Sequence, residues 1–296
     1  DLHRRRHSFP TRRSSDLELL ANNLLQEKVP RGEVQKFVIH DPKRREITAA
    51  CFEDRVLHHA IMNLTQDSFE KALLPSVYAC RPGKGVHSAV KAVQQGLQKW
   101  PFYVQVDVAN YFAQINHQVL EKMLAKRFKG QAFLRLLKRI LQASDTHLTG
   151  KGLPIGSLMS QHWANHYLNQ ADRLLLNQQG VKAHIRYMDD IIWFCQDKSI
   201  ALQTLEVLKE FLAQELHLSL KHNHTIASSN KGVLFCGFRV KQGIILPSAR
   251  KLKKARASFK IIKTAENNHA NEQDLQRAFS AWQAALLPAQ AANFTR

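Results

Sequence analysis

The chain lacks any uncharged apolar run of the roughly 18 residues that a membrane-spanning helix needs, so a helical membrane protein is excluded. It has only four cysteines, Cys51, Cys80, Cys195 and Cys236, with no C-x-x-C pair among them. That argues against a disulfide scaffold or a zinc knuckle and fits a reducing cytoplasm. No internal repeat and no low-complexity tract occurs. Acidic residues are scarce: 24 Asp and Glu stand against 43 Lys and Arg, a net charge of +19. An excess of that size points to a polyanionic partner, most often nucleic acid. Composition is otherwise ordinary. Apolar residues make up 44% and charged residues 23% of 296, which excludes disorder of the whole chain and allows one large domain or two modest ones.

There is also no initiator Met. The opening, DLHRRRHSFPTRRSSDL, has neither apolar periodicity nor the apolar stretch of a signal peptide. His7 to Leu17 reads as one frame of a widely used sequencing-adapter oligonucleotide. We therefore expect residues 1–17 to be an assembly artefact joined to a gene whose native start is missing; a natural basic arm is the alternative. The segment holds five Arg and two Asp, so removing it lowers the charge only from +19 to +16.

Apolar spacing predicts helices over 18–26, 52–72, 86–100, 117–128, 133–144, 158–177 and 201–216, and after Pro247. Strands are expected at 34–40, 102–107, 182–187, 191–195, 232–240 and 243–246. Gly83 and Gly85 punctuate one loop, and residues 150–156 form another, rich in Gly and Pro. Strands and helices alternate without a βαβ rhythm, so the fold class is α+β with an antiparallel sheet.

Met188-Asp189-Asp190 falls between two apolar strands, so a hairpin with both carboxylates at its tip is expected. A bare Asp-Asp pair is more often a solvated turn. Here Ile185, Tyr187, Ile191, Ile192, Trp193 and Phe194 make the hairpin a core element and set the acids at the edge of a buried sheet. Asp107 ends another buried strand. Three acids at strand ends suit two Mg²⁺ ions about 3.5–4 Å apart, the arrangement for in-line phosphoryl transfer. Magnesium takes oxygen ligands and keeps several waters, so few carboxylates suffice.

Arg186-Tyr187-Met188-Asp189-Asp190 resembles the YxDD box of reverse transcriptases. Phe102 to His117, FYVQVDVANYFAQINH, resembles their first catalytic motif, an aspartate with an aromatic five residues later. Further motifs agree in order and spacing over Lys43 to Val240, about two thirds of the chain. The resemblance implies a right-hand polymerase: fingers over 18–100, palm with inserted fingers helices over 101–246, and a helical thumb over 247–296. It implies that Asp107 and Asp189 bind two Mg²⁺ ions, with Val108 a further metal-binding position and Asp190 completing the site. One ion would activate the primer 3′-hydroxyl, and the other would hold the triphosphate. Phe112 stands at the family's steric gate, where a ring beneath the sugar excludes a 2′-hydroxyl; plain core is its other reading.

Lys43 and Arg45 lie where the family's fingers hairpin clamps the triphosphate. Alternate residues on a strand share a face, so they point the same way; a solvated basic patch is equally open. Ser76 to His87, SVYACRPGKGVH, resembles the next fingers motif, in which Arg81 and Lys84 would touch template or phosphate. Lys221 matches a family lysine proposed to protonate the departing pyrophosphate, although His222 and Asn223 depart from the usual continuation. Val233 to Val240, VLFCGFRV, resembles the primer-grip hairpin, with Cys236, Gly237 and Phe238 at its turn.

Leu153 to Asn165 reads LPIGSLMSQHWAN where most reverse transcriptases carry QGxxxSP. Ile155 replaces the Gln, Gly156 is kept, and Gln161 replaces the Pro. This form resembles reverse transcriptases of diversity-generating retroelements, as do VYACRPGKGVHSAV and Leu275 to Trp282. Met159 departs from the Thr expected there. The resemblance implies copying of a template-repeat RNA into cDNA with misincorporation opposite adenine, in company with a small basic accessory variability protein. An aliphatic Ile155 forfeits a hydrogen bond that would help fix nucleotide geometry; simple packing by Ile155 in a faithful enzyme is the alternative. Residues 247–296 hold nine Lys or Arg and three Asp or Glu. Arg250, Lys251 and Lys254 share a helix side that suits a phosphate backbone or plain solvent. A faithful reverse transcriptase related to group II intron or phage-defence enzymes, and a non-catalytic RNA-binding protein with the polymerase fold, are the competing functions.

Overall fold

The computed structural model describes residues 13–26, 28, 35–40, 44–143, 150–265, 275–276, 278–280 and 282–283. In chain order its elements are α1 (Arg13–Leu25), β1 (Gln35–His40), β2 (Arg44–Ala49), α2 (Phe52–Ala72), α3 (Val86–Lys99), β3 (Phe102–Asp107), α4 (Tyr111–Gln114), α5 (His117–Arg127), α6 (Gln131–Gln142), α7 (Leu158–Tyr167), α8 (Asn169–Asn177), β4 (Val181–Tyr187), β5 (Asp190–Cys195), α9 (Lys198–Gln214), β6 (Thr225–Ser228), β7 (Val233–Phe235), β8 (Phe238–Val240), β9 (Ile245–Pro247) and α10 (Ala249–Ala265). They fall into two units. One comprises Asp1–Glu70 with Phe112–Tyr167, the other Lys71–Tyr111 with Leu168–Arg296.

The second unit is built on a four-stranded antiparallel sheet of order β4-β5-β3-β6. β5 is apolar from Ile191 to Cys195 and wholly buried there, which makes it an interior strand. A short sheet, β7-β8-β9, adds a second antiparallel layer. Ala89, Val90, Val93 and Leu97 recur at helical spacing along α3 and pack with Ile192, Phe194, Phe235 and Phe238 in one core. Gly96 makes that approach possible: a Cβ there would fall within 2.8 Å of three atoms of the Phe194 ring.

The first unit holds the β1-β2 hairpin, in which Gln35 pairs with Ala49 and His40 with Arg44, and the helices α5, α6 and α7. Asn116 caps α5, its side chain accepting from the Val119 amide at 3.1 Å. Edge-to-face contacts run from Phe69 to Phe128 and on to Phe133. The Gly-rich loop is held by backbone bonds: Gly152 N–H to Ile115 at 2.8 Å, Leu153 N–H to Phe112 at 2.8 Å, and Thr48 N–H to Ile155 at 2.9 Å. No helix among the described residues is long and apolar enough to cross a membrane.

The expected elements agree in place and type, with several differences. Apolar spacing did not indicate β2 or α4, and the strand expected over 232–240 is two strands, β7 and β8, joined at Cys236-Gly237. The helix foreseen over 158–177 is interrupted at Leu168, giving α7 and α8. Periodicity carries through the break because a single non-helical residue barely shifts the apolar phase. α1 begins at Arg13 rather than at residue 18. β6 was not foreseen; its sequence TIAS is too short for alternation to register. Asp190 is not at a turn tip but is the first residue of β5, opposite both Tyr187 and Asp107. The expected extension of α6 to residue 144 and most of the helical stretch after 265 lie outside the described residues.

Candidate active site

The candidate carboxylates are all carried by the second unit. Antiparallel pairing places Asp107, the last residue of β3, opposite Asp190, the first of β5. Directly opposed residues share a face, so the register itself brings two acids together. Between β4 and β5 the chain reverses over Met188-Asp189, with Met188 in the left-handed region at φ 55°. The Asp189 carbonyl accepts from the Val108 amide at 3.3 Å, tying this turn to the end of β3. Residues 219–221 run antiparallel to 107–109: Ala109 N–H donates to Ser219 at 2.8 Å and Lys221 N–H to Asp107 at 2.8 Å. That pairing delivers the Lys221 ammonium to Asp107 Oδ1, an ion pair beside the other acids.

The electrostatics are those of crowded carboxylates. Burial raises the Asp189 carboxyl above its ordinary range, and the neighbouring Asp107 charge adds to the effect. Burial pushes Asp190 up to about 7, reinforced by Asp107 and Asp189 and opposed by its hydrogen bonds. Gln105 supplies one of those bonds. Its Nε2 lies 3.0 Å from Asp190 Oδ1 and also 3.0 Å from the Leu234 carbonyl, joining the main sheet to β7. The Cys236 amide supplies another. Asp190 is thus held toward Gln105 and Cys236, while Asp189 faces Asp107. Among the described residues no three acidic, histidine or cysteine side chains are already gathered as a cation cage. The donor set nevertheless fits a hard divalent ion. It is all oxygen, Asp107 Oδ1 is buried beside a single ammonium, and the repulsion that raises Asp189 is what a dication would relieve.

The turn of the β7-β8 hairpin is Cys236-Gly237, with φ 49° and 78°. Lys251, from α10, lies along it: its Nζ sits 4.0 Å from the Phe238 ring centroid, and burial lowers its pKa. Phe238 itself is wholly buried, so its ring belongs to the core. Lys254 is exposed on the same helix. Arg81 and Lys84 are engaged locally. Arg81 Nη1 donates to the Leu74 and Val77 carbonyls at 2.7 and 3.0 Å. Lys84 Nζ donates to the Pro75 carbonyl and lies 5.0 Å from the Tyr78 ring centroid. Both cations brace the 74–84 loop, a task that the motif alone did not indicate.

The remaining candidates belong to the first unit. Arg45 is exposed on β2, and Phe112 and Gln161 are partly exposed. Lys43 lies outside the described residues. Ile155 bonds through its carbonyl to Thr48, and Gly156 (φ 112°) has no room for a side chain, since a Cβ would sit 2.9 Å from the Thr48 carbonyl oxygen. The structure thereby couples the Ile155-Gly156 loop to the hairpin that carries Arg45.

Three residues at the second unit's core had no role assigned from the sequence. Arg186, His184 and Asp172 are buried together. Arg186 Nε and Nη2 donate to Asp172 Oδ1 and Oδ2, both at 2.7 Å, and His184 Nε2 lies 3.1 Å from Oδ1. Burial alone would raise the Asp172 carboxyl, but Arg186 and His184 hold it below the ordinary range. The available signal was an arginine inside an apolar strand, since a buried charge requires a partner. Gln105 was likewise legible as a polar residue within the apolar run FYVQVD.

Residues 39–240 match the reverse transcriptase (RNA-dependent DNA polymerase) family. "Protein YkfC" of Escherichia coli (strain K12) is 22% identical over 241 residues, 67% of this chain and 63% of that protein. "Group II intron-encoded protein LtrA" of Lactococcus lactis subsp. cremoris is 24% identical over 139 residues, 45% of this chain and 23% of that protein. These relatives are longer, and the chain spans from 23% to 63% of their lengths. Among solved structures, apo telomerase from Candida Tropicalis resembles the chain with a TM-score of 0.58 at 11% identity, over 91% of this chain and 61% of the telomerase chain. That likeness is one of fold, and it agrees with the α+β class read from the sequence.

Proposed function

The chain belongs to the reverse transcriptase family, and we propose that it is an RNA-directed DNA polymerase working by two-metal nucleotidyl transfer. The observation that carries this reading is the register of β3 against β5, which opposes Asp107 to Asp190 with Asp189 beside them. Asp107, Asp189 and the Val108 backbone would hold two Mg²⁺ ions, with Asp190 completing the set. When bound, the ions supply Lewis-acid activation of the primer 3′-hydroxyl and charge neutralisation at the leaving pyrophosphate. The Lys221 ammonium, already at Asp107, orients that carboxylate and is the proton donor for departing pyrophosphate. Cys236 and Gly237 present backbone to the primer end. Lys251 and Lys254 track the phosphate backbone of the template–primer. Lys43 and Arg45 bind the triphosphate, with Gly156 and Gln161 completing the nucleotide contacts, and the Phe112 ring excludes a 2′-hydroxyl.

Within that activity we infer the retroelement type: copying of a template-repeat RNA into adenine-mutagenised cDNA, with an oligomeric accessory variability protein as partner. Ile155 and Gln161 in the I-G-x-x-x-S-Q form support it. A second reading, faithful copying in the manner of group II intron enzymes, is favoured by the likeness to LtrA.

The test is primer extension on an RNA template of mixed sequence with Mg²⁺ and deoxynucleotides, followed by sequencing of the product. Errors concentrated opposite adenine support the retroelement type, and uniform fidelity supports the second reading. No extension even with native RNA and accessory protein would leave a non-catalytic RNA binder.

A further inference from the structure

We propose that Arg186 and Asp172 are positioning residues that set the Met188-Asp189 turn, and through it the carboxylate of Asp189. The inference rests on the polymerase reading only for its kinetic consequence. Met188 occupies the left-handed region, which a residue with a side chain holds only when its surroundings impose it. Arg186 is what imposes it. Its Nη1 donates to the Met188 carbonyl at 3.1 Å, while Nε and Nη2 grip both oxygens of Asp172. A guanidinium is planar and rigid, so fixing one edge on a carboxylate fixes the directions of its other N–H donors, Nη1 among them.

The base of this strut is buried and bonded from several sides. Asp172 is wholly buried on α8, and its Oδ1 also meets His184, two residues before Arg186 and therefore on the same face of β4. Ser76 Oγ lies 2.9 Å from His184 Nδ1. The Arg186 backbone is pinned as well: its amide donates to Ser76 at 3.0 Å, and its carbonyl accepts from Tyr78 at 2.9 Å. The strut runs from helix through guanidinium to carbonyl, and the next residue in the chain is Asp189. A buried ion pair of this kind is often matched in stability by apolar side chains of similar volume. Its use is therefore sought in what the guanidinium does besides pairing, and the bond to Met188 is that use.

The decisive comparison is wild type against the double variant Asp172→Leu/Arg186→Met, which removes the strut but fills its volume. Two measurements are made on the full chain: Mn²⁺ binding followed by its EPR signal without nucleic acid, and steady-state primer extension. Mn²⁺ affinity should weaken by about tenfold or more, as when a supporting partner of a metal ligand is lost. kcat should fall by up to about a hundredfold with KM for deoxynucleotide nearly unchanged, because misplacement removes only transition-state stabilisation. A folded double variant with both Mn²⁺ affinity and kcat within about twofold of wild type overturns the proposal. If the double variant does not fold, Arg186→Lys decides by the same criteria: it keeps the charge but cannot hold Asp172 and the Met188 carbonyl together. If the wild-type chain extends no primer, the polymerase reading fails, and the Mn²⁺ titration still decides for or against the strut.

Discussion

Asp190 makes a prediction that needs no substrate. In the metal-free protein its carboxyl is pushed up to about 7 by burial and by Asp107 and Asp189, whereas an unfolded chain would show the ordinary value, about 3.9. The folded state therefore binds the proton more tightly. The stability this contributes is fully present below the unfolded value and is lost as pH rises through about 7. Between about pH 5.5 and about pH 8 the loss from this one group is about 2 kcal/mol, as an order of magnitude. His58 and His162 act oppositely, since burial lowers their pKa values and favours folding as pH rises. Wild type is therefore compared with Asp190→Asn by urea unfolding in EDTA, which cancels the histidines. The variant should gain about 2 kcal/mol relative to wild type across that interval. Saturating Mg²⁺ should shrink the gain, because a bound dication favours the ionised carboxylates. A stability difference that stays constant with pH would refute the claim that Asp190 is held in a crowded, desolvated acid cluster.

Three further outcomes follow from the same geometry. Asp189→Ala should abolish primer extension while leaving RNA affinity nearly intact in a filter-binding assay; parallel loss of binding would remove the metal role. Gly96→Ala should destabilise the chain by about 1–3 kcal/mol in urea unfolding, because its Cβ collides with the buried Phe194 ring. Ile155→Gln should restore a polar contact to the incoming nucleotide and lower the error frequency opposite template adenine, read by sequencing cDNA; an unchanged error spectrum would assign Ile155 to packing.

The Arg81 and Lys84 contacts show how a motif under-describes a site. As isolated cations in a Gly-containing loop they suit phosphate, yet in the fold each bonds backbone carbonyls at the start of its own loop. Loop carbonyls without helix or strand partners need donors, and the nearest long cations supply them. Phe238 is similar. Its motif places it at a primer-grip turn, but its position on β8 directs the ring into the core.

Local pattern alone determined a good deal. Alternation and helical spacing located most elements, because burial of one face imposes a period on the residues themselves. The basic excess indicated a polyanion. The positions of Asp107, Asp189 and Asp190 at strand ends were legible because acids beside apolar runs can only stand at a sheet's edge. Tertiary structure alone decided the rest. That Asp107 faces Asp190 is a matter of strand register, a relation between segments more than eighty residues apart that no local period encodes. That Lys221 reaches Asp107, that Gln105 holds Asp190, and that Arg186 grips Asp172 while bonding Met188 all depend on which chains lie side by side. Pattern is a property of one segment; pairing is a property of two, and the candidate site is made of pairs.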